Sequence, residues 1–247
     1  MVWAKGTRAA WAMAALGTGL ALAAPAAAET LVVRASGPSA ATYRPGSKLA
    51  DGGSLVLKAG DVVTLLDARG TRTLRGPGRF GVTVAAGAAP ASNVTLAALL
   101  DTKRVRRART GAVRGNVSEG PAAAPRRPNL WLVDVDRPGA VCFADPAAVR
   151  LWRADAAKPA TAKISGGKTH ASVSFAAGEA IAAWPTTLPL ADGAAYRIDL
   201  GTKATDIRLA QVGQPTAGLE TLASALIAQG CGAQLDLLVD AAGEAGN

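Results

Sequence analysis

Ser54-Leu55-Val56-Leu57-Lys58-Ala59-Gly60-Asp61-Val62-Val63-Thr64-Leu65-Leu66 is the stretch whose reading decides the fold class. Two short runs of branched aliphatic residues flank Lys58-Ala59-Gly60-Asp61. Neither run is long enough for a helix, and a glycine turn parts them, so both read as strands. The same grammar extends outward. Leu31-Val32-Val33-Arg34 precedes it and is turned by Gly37-Pro38. Thr71 to Arg75 and Phe80 to Val84 follow, separated by Ala68-Arg69-Gly70 and Gly76-Pro77-Gly78. An antiparallel meander is expected here.

Beyond it the period changes. Ser92 to Arg107 reads as a helix, with Ser92 as its cap and Leu96, Leu99 and Leu100 on one face. Its end is strongly basic, and residues 111–128 form a Gly/Ala/Pro/Arg linker closed by Pro125-Arg126-Arg127-Pro128. Residues 129–247 open a second β series. Runs at Leu130 to Val135, Val149 to Arg153, Ala171 to Phe175, Ala180 to Trp184, Ala195 to Leu200 and Asp206 to Gln211 predict a β-sandwich. Within it, Asp192 to Arg197 has the makings of a tyrosine corner built on Tyr196. Leu219, Leu222, Ala223, Leu226 and Ile227 then recur at helical spacing up to Gly230, and a second short helix runs through Leu235, Leu238 and Val239. The expected class is mainly β, with an N-terminal antiparallel β domain and a C-terminal sandwich ending in two α-helices.

Charge divides the chain at the same place. Residues 29–128 hold 16 Lys and Arg against 6 Asp and Glu, whereas residues 129–247 hold 9 against 12. Two units are expected, at 29–110 and 129–247. Ahead of them, Lys5 and Arg8 precede an uncharged Ala/Leu-rich run from Ala9 to Ala24, then Pro25 and Ala26-Ala27-Ala28. This is the layout of a signal peptide over residues 1–28, cleaved after Ala28. The apolar run falls short of the ~20 residues that span a bilayer. A soluble periplasmic protein beginning at Glu29 is expected. Cys142 and Cys231 are the only cysteines. In an oxidising compartment they are expected as a disulfide; a metal pair lacks companion ligands, and a redox pair wants Cys-x-x-Cys spacing.

Two nucleotide-binding patterns fail on context. Gly76-Pro77-Gly78-Arg79-Phe80-Gly81 satisfies G-x-G-x-x-G, yet strand rather than helix follows it, and Pro77 removes a backbone donor. Gly167-Lys168-Thr169 lacks the upstream P-loop glycine, where Ala162 stands, so Ser165 to Lys168 reads as a hairpin turn. The catalytic inventory is thin. His170 is the only histidine, which excludes a multi-histidine metal site, and no G-x-S-x-G occurs. Asp134, Asp136 and Asp145 could bind a cation or act as an acid/base pair, but a solvent-facing edge and a turn before Pro146 account for them. No cofactor, metal or catalytic residue is expected. The dense charge lies at Arg104, Arg106, Arg107 and Arg109, which read either as a site for an anionic partner or membrane surface, or as a solvated helix end complementing the macrodipole. Nucleic acid is not expected as a ligand of an exported protein.

Val32-Val33-Arg34, Tyr43-Arg44-Pro45-Gly46-Ser47-Lys48-Leu49, Gly53 to Asp61 and Leu74-Arg75-Gly76-Pro77-Gly78 together resemble the periplasmic FecR-type domain. That family has a β-rich domain with repeated G-x-x-L…L-x-x-G-D turns, and the resemblance covers residues 31–120. It implies envelope signalling or sensing without catalysis. FecR regulators proper carry a cytoplasmic segment and a membrane helix. Residues 1–28 read instead as a signal peptide, so an accessory role is expected rather than direct control of a sigma factor. The leading expectation is a non-catalytic sensory or accessory module that binds another envelope protein. The second is a module for a glycan or anionic envelope polymer, with Trp131, Trp152, Trp184 and Tyr196 as stacking platforms.

Overall fold

The computed structural model describes residues 30–67, 70–82, 100, 129–213 and 218–244. The chain is mainly β, with two helices at its C-terminal end. Strands β1 (Thr30–Ser36), β2 (Lys48–Leu49), β3 (Ser54–Leu57), β4 (Val62–Asp67), β5 (Gly70–Arg75) and β6 (Gly78–Gly81) occupy the first described stretches. They do not form a meander. One sheet runs β2-β1-β4-β5, and β3 pairs with β6 as a separate two-stranded ribbon. The reason lies in the side chains. Leu55 and Leu57 on β3 are buried with Val32, Val63, Leu65 and Leu74, so the ribbon covers one face of the sheet instead of extending it. Gly76 makes that fold-back possible, because a Cβ there would stand 2.0 Å from the Lys58 carbonyl oxygen.

The second β series is a two-layer sandwich. Its strands are β7 (Leu132–Asp134), β8 (Gly139–Phe143), β9 (Arg150–Trp152), β10 (Ala160–Gly166), β11 (Thr169–Phe175), β12 (Ile181–Ala183), β13 (Ala195–Asp199) and β14 (Ala204–Gln211). The five-stranded sheet runs β11-β10-β13-β14-β8 and the three-stranded sheet β12-β9-β7. Val133, Leu151 and Trp184 from the smaller sheet and its flanks share a core with Ile164, Ile198, Ile207 and Leu209 from the larger. Alternation along β10 and β14 assigns each residue its face, as a half-buried strand requires. Gly167 has φ 59° and among the described residues no non-glycine residue has positive φ, so Gly167-Lys168 closes the β10–β11 hairpin in the manner of a type II′ turn.

Helices α1 (Leu219–Ala228) and α2 (Gly232–Glu244) complete the fold. Their apolar faces pack in one core with Leu31, Val33 and Leu66 of the first sheet and with Cys142 and Ala144 at the edge of the sandwich. The helix pair therefore forms a layer between the two β bodies. Strands β1, β4 and β8 are buried on both faces as a result. Along β8, Val141 and Phe143 enter the sandwich core while Cys142 faces the helices. Along β1, Val32 enters the ribbon core while Leu31 and Val33 face the helices. A register shift between Val32 and Arg34 puts Val33 and Arg34 together on the helical side. The helix expected over 92–107 and the linker 111–128 lie outside the described residues, apart from Leu100, whose carbonyl accepts the Trp131 indole N–H at 3.3 Å.

Candidate functional site

The densest set of specific side-chain contacts lies where α2 meets both β bodies. Cys142, on the edge strand β8, is disulfide-bonded to Cys231 between the helices, with Cα atoms 5.9 Å apart. Gln234, one turn into α2 and buried, works beside it. Its Oε1 accepts the Cys142 backbone N–H at 2.6 Å, and its Nε2 donates to the Cys142 carbonyl at 2.8 Å and to the Leu130 carbonyl at 2.9 Å. In pairing with β14, β8 leaves the Cys142 backbone groups pointing off the sheet edge, and the amide of Gln234 satisfies them as a neighbouring strand would. On the opposite side of α2, Arg34 of β1 donates from Nε and Nη2 to Asp236 Oδ1 at 3.1 and 2.8 Å, and from Nη1 to Asp240 at 3.0 Å. Burial alone would lower the pKa of Arg34, but the two carboxylates outweigh it and raise it, so the guanidinium stays charged.

A second anchor is Asp61, in the Gly60-Asp61 turn. Its Oδ1 accepts the Ser39 N–H at 2.8 Å and its Oδ2 the Lys58 N–H at 2.6 Å, tying the loop after β1 to the turn between β3 and β4. Burial pushes this carboxyl up, but the hydrogen bonds from Ser39 and Lys58 and the Lys58 charge more than offset it, leaving it below the usual range. Arg153, also buried, donates to the carbonyls of Glu179, Lys158 and Ala176 at 2.8, 2.6 and 2.9 Å and lies 5.0 Å from the Phe175 ring centroid. Carbonyl dipoles and a ring face occupy its donors. This arginine binds the loops of the sandwich to one another.

The residues singled out by sequence fall into three groups. Cys142 and Cys231 are bonded as expected. Arg104, Arg106, Arg107 and Arg109 lie outside the described residues. The aromatic residues are interior: Trp131, Trp152, Trp184 and Tyr196 are 1, 5, 7 and 5 % exposed. Trp184 and Tyr196 meet edge to face at 5.2 Å, the Trp184 indole N–H donates to the Leu188 carbonyl, and the Tyr196 hydroxyl returns to the Pro189 carbonyl as a tyrosine corner should. Burial raises the Tyr196 pKa.

The carboxylates are held in turns. Asp134 Oδ1 accepts the Asp136 N–H at 3.0 Å, and Asp145 accepts the Ala147 N–H at 2.9 Å at the start of the Pro146–Ala148 turn. Among the described residues no group of His, Cys, Asp and Glu is arranged to hold a metal. His170 stands opposite Ser165 on neighbouring strands, on the outer face of the five-stranded sheet. Asp206 is three strands away, ~14 Å at ordinary strand spacing, and bonds Arg197 at 3.0 Å. The three cannot act as a relay. Gln234 and Asp61 were the residues that sequence reasoning did not reach for. The Gly60-Asp61 pair signals a turn, whereas nothing local marks Gln234.

In class, the chain is a mainly β protein of two β bodies joined through a disulfide-stapled helix pair. No family model, curated protein or solved structure matches it.

Proposed function

We propose that this protein is an exported, periplasmic accessory or sensory module without catalytic chemistry, which binds another protein of the cell envelope. The observation that carries this reading is the deeply buried Cys142–Cys231 disulfide, joining edge strand to helices. Such a bond persists in an oxidising compartment and accords with the signal-peptide layout of residues 1–28. The FecR-like turns of residues 31–120 support an envelope-sensing role. The buried tryptophans favour a protein partner over a glycan, because stacking on sugar rings needs exposed aromatic faces. The polar outer face of the five-stranded sheet suits a protein partner too.

The test is capture of a partner from solubilised envelope by the purified, oxidised protein. The reading expects one envelope protein to be retained, with retention abolished by protease treatment of the extract and unaffected by glycan-degrading enzymes. Retention that follows glycan or lipid instead would overturn it in favour of the second reading, a module for a glycan or anionic envelope polymer.

A further inference from the structure

Each exposed sheet edge in a monomer presents unpaired backbone groups, and stable proteins block such edges with charge, proline, bulges, brevity or a side-chain cap. Most edges here are blocked. β2, β7 and β12 are two or three residues long. β5 carries Arg72 and Arg75. Gln234 caps β8 at Cys142, and the Tyr43 hydroxyl caps the ribbon strand β3, accepting the Val56 N–H at 2.9 Å and donating to its carbonyl at 3.3 Å. β6, the other ribbon edge, is four residues long and carries Arg79.

β11 is the exception. Thr-His-Ala-Ser-Val-Ser-Phe, residues 169–175, is the longest edge strand, holds no Lys, Arg, Asp, Glu or Pro, and pairs with β10 in unbroken register. Which of its backbone groups face outward follows from two hairpins. The two-residue turn makes Gly166 and Thr169 a hydrogen-bonded pair, so the next pair, Ser165 and His170, is not one, and the alternation continues. Independently, the Leu200 N–H bonds the Lys203 carbonyl, which turns the backbone of Asp199 towards Lys163 and that of Lys163 away from β11. Both lines direct the N–H and C=O of His170, Ser172 and Ser174 off the sheet edge. Among the described residues no strand pairs with that side.

We infer that β11 is a self-association edge that pairs antiparallel with β11 of a second copy of this chain, about a two-fold axis through Ser172. The sequence of the strand is complementary to itself in this register. Ser172 faces Ser172 of the other copy, His170 faces Ser174 and Ala171 faces Val173, so no charge opposes a like charge. All outward groups of the three residues are satisfied, giving about six ladder hydrogen bonds and one continuous sheet through both copies. The half-buried Ala171 and Val173 gain an apolar neighbour. The ends also complement one another. Lys168, before β11, comes to Ala176 of the other copy, and the Glu179 carboxylate accepts the Ala176 N–H at 2.9 Å. The two Lys163 side chains remain three strand spacings apart, ~14 Å, beyond the ~8 Å screening length at physiological salt.

The test is sedimentation equilibrium of the full-length exported protein over a concentration series, with two variants. Wild type should show a concentration-dependent shift from monomer to dimer. Ser172→Pro should stay monomeric with an unchanged melting temperature, because the N–H it removes makes no ladder bond within one chain. Ser172→Cys should cross-link to a covalent dimer under mild oxidation, whereas Thr202→Cys, at the exposed β13–β14 turn, should not. Should Ser172→Pro fail to fold, the cysteine pair still decides the register. A wild-type protein monomeric at every concentration, or Ser172→Cys cross-linking no faster than Thr202→Cys, would overturn the inference.

Discussion

Asp61 shows how one side chain can hold a β domain in register. Its carboxylate collects backbone donors from two loops that are far apart in sequence, and it must be ionised to accept them well. Its folded pKa lies below the ordinary value of 3.8, so its contribution is complete above that pH and is lost as pH falls through the lower folded value. Asp61→Asn should therefore lower the melting temperature at pH 7 and shrink the gap to wild type below pH 3.8, a difference that calorimetry at the two pH values would read. Gln234 is the corresponding residue on α2. Gln234→Ala strips partners from buried backbone groups of Cys142 and Leu130 and should cost about 2–5 kcal/mol, since an unsatisfied buried group costs roughly 1–3 kcal/mol. Denaturant unfolding would measure it. A loss within error of zero would mean that water replaces the amide. The part of Asp61 was half-legible in the sequence, because Gly-Asp after an aliphatic run marks a turn. Gln234 was not legible, because its partners lie 92 and 104 residues away and an isolated glutamine on a helix carries no local signature.

At the scale of elements, periodicity told strand from helix wherever one face is wet. β3, the hairpin at Gly167 and both terminal helices stand close to where alternation, turn residues or 3.6-residue spacing placed them, and β1, β4 and β5 stand where short aliphatic or Thr/Arg runs between glycine turns marked them. It failed where neighbours decide. β8 reads as a small apolar run after Pro138-Gly139 because both its faces are covered, so no alternation survives. β10, Ala-Thr-Ala-Lys-Ile-Ser-Gly, alternates, but its inward residues include the small Ala162, too weak a mark to single out. The meander failed for a related reason: pairing partners are chosen by which faces must be covered, and the ribbon β3–β6 was needed over the sheet. One prediction belongs to an element outside the described residues. Changing Arg104, Arg106, Arg107 and Arg109 to Gln should abolish any co-sedimentation with anionic vesicles while leaving the unfolding midpoint unchanged. Wild-type binding should fade as salt shortens the screening length from ~10 Å at 0.1 M to ~3 Å at 1 M. Binding that survives the four substitutions would assign the attachment elsewhere.

Over the whole molecule, the sharp charge break and the Pro/Arg-rich run between residues 110 and 128 divide the sequence, while the helix pair at the far end gives the two β bodies a shared apolar layer. Sequence cannot announce such a return, since the contacts between Leu31 or Leu66 and the helices cross most of the chain. The disulfide is the covalent counterpart of that layer. Closing a loop with a sequence separation of 89 contributes about 4–5 kcal/mol on the chain-entropy account. Cys231→Ser should loosen the helices from β8 and lower stability by a few kcal/mol, with earlier amide exchange in α1 and α2 than in β10 or β13.

Export and oxidation meet in a single measurement: the intact mass of the protein recovered from a periplasmic extract without reductant. The account predicts a chain beginning at Glu29, two hydrogens lighter than its reduced form and inert to a thiol alkylating agent. A mass that retains Met1, or a native protein that takes up two alkyl groups, would contradict it.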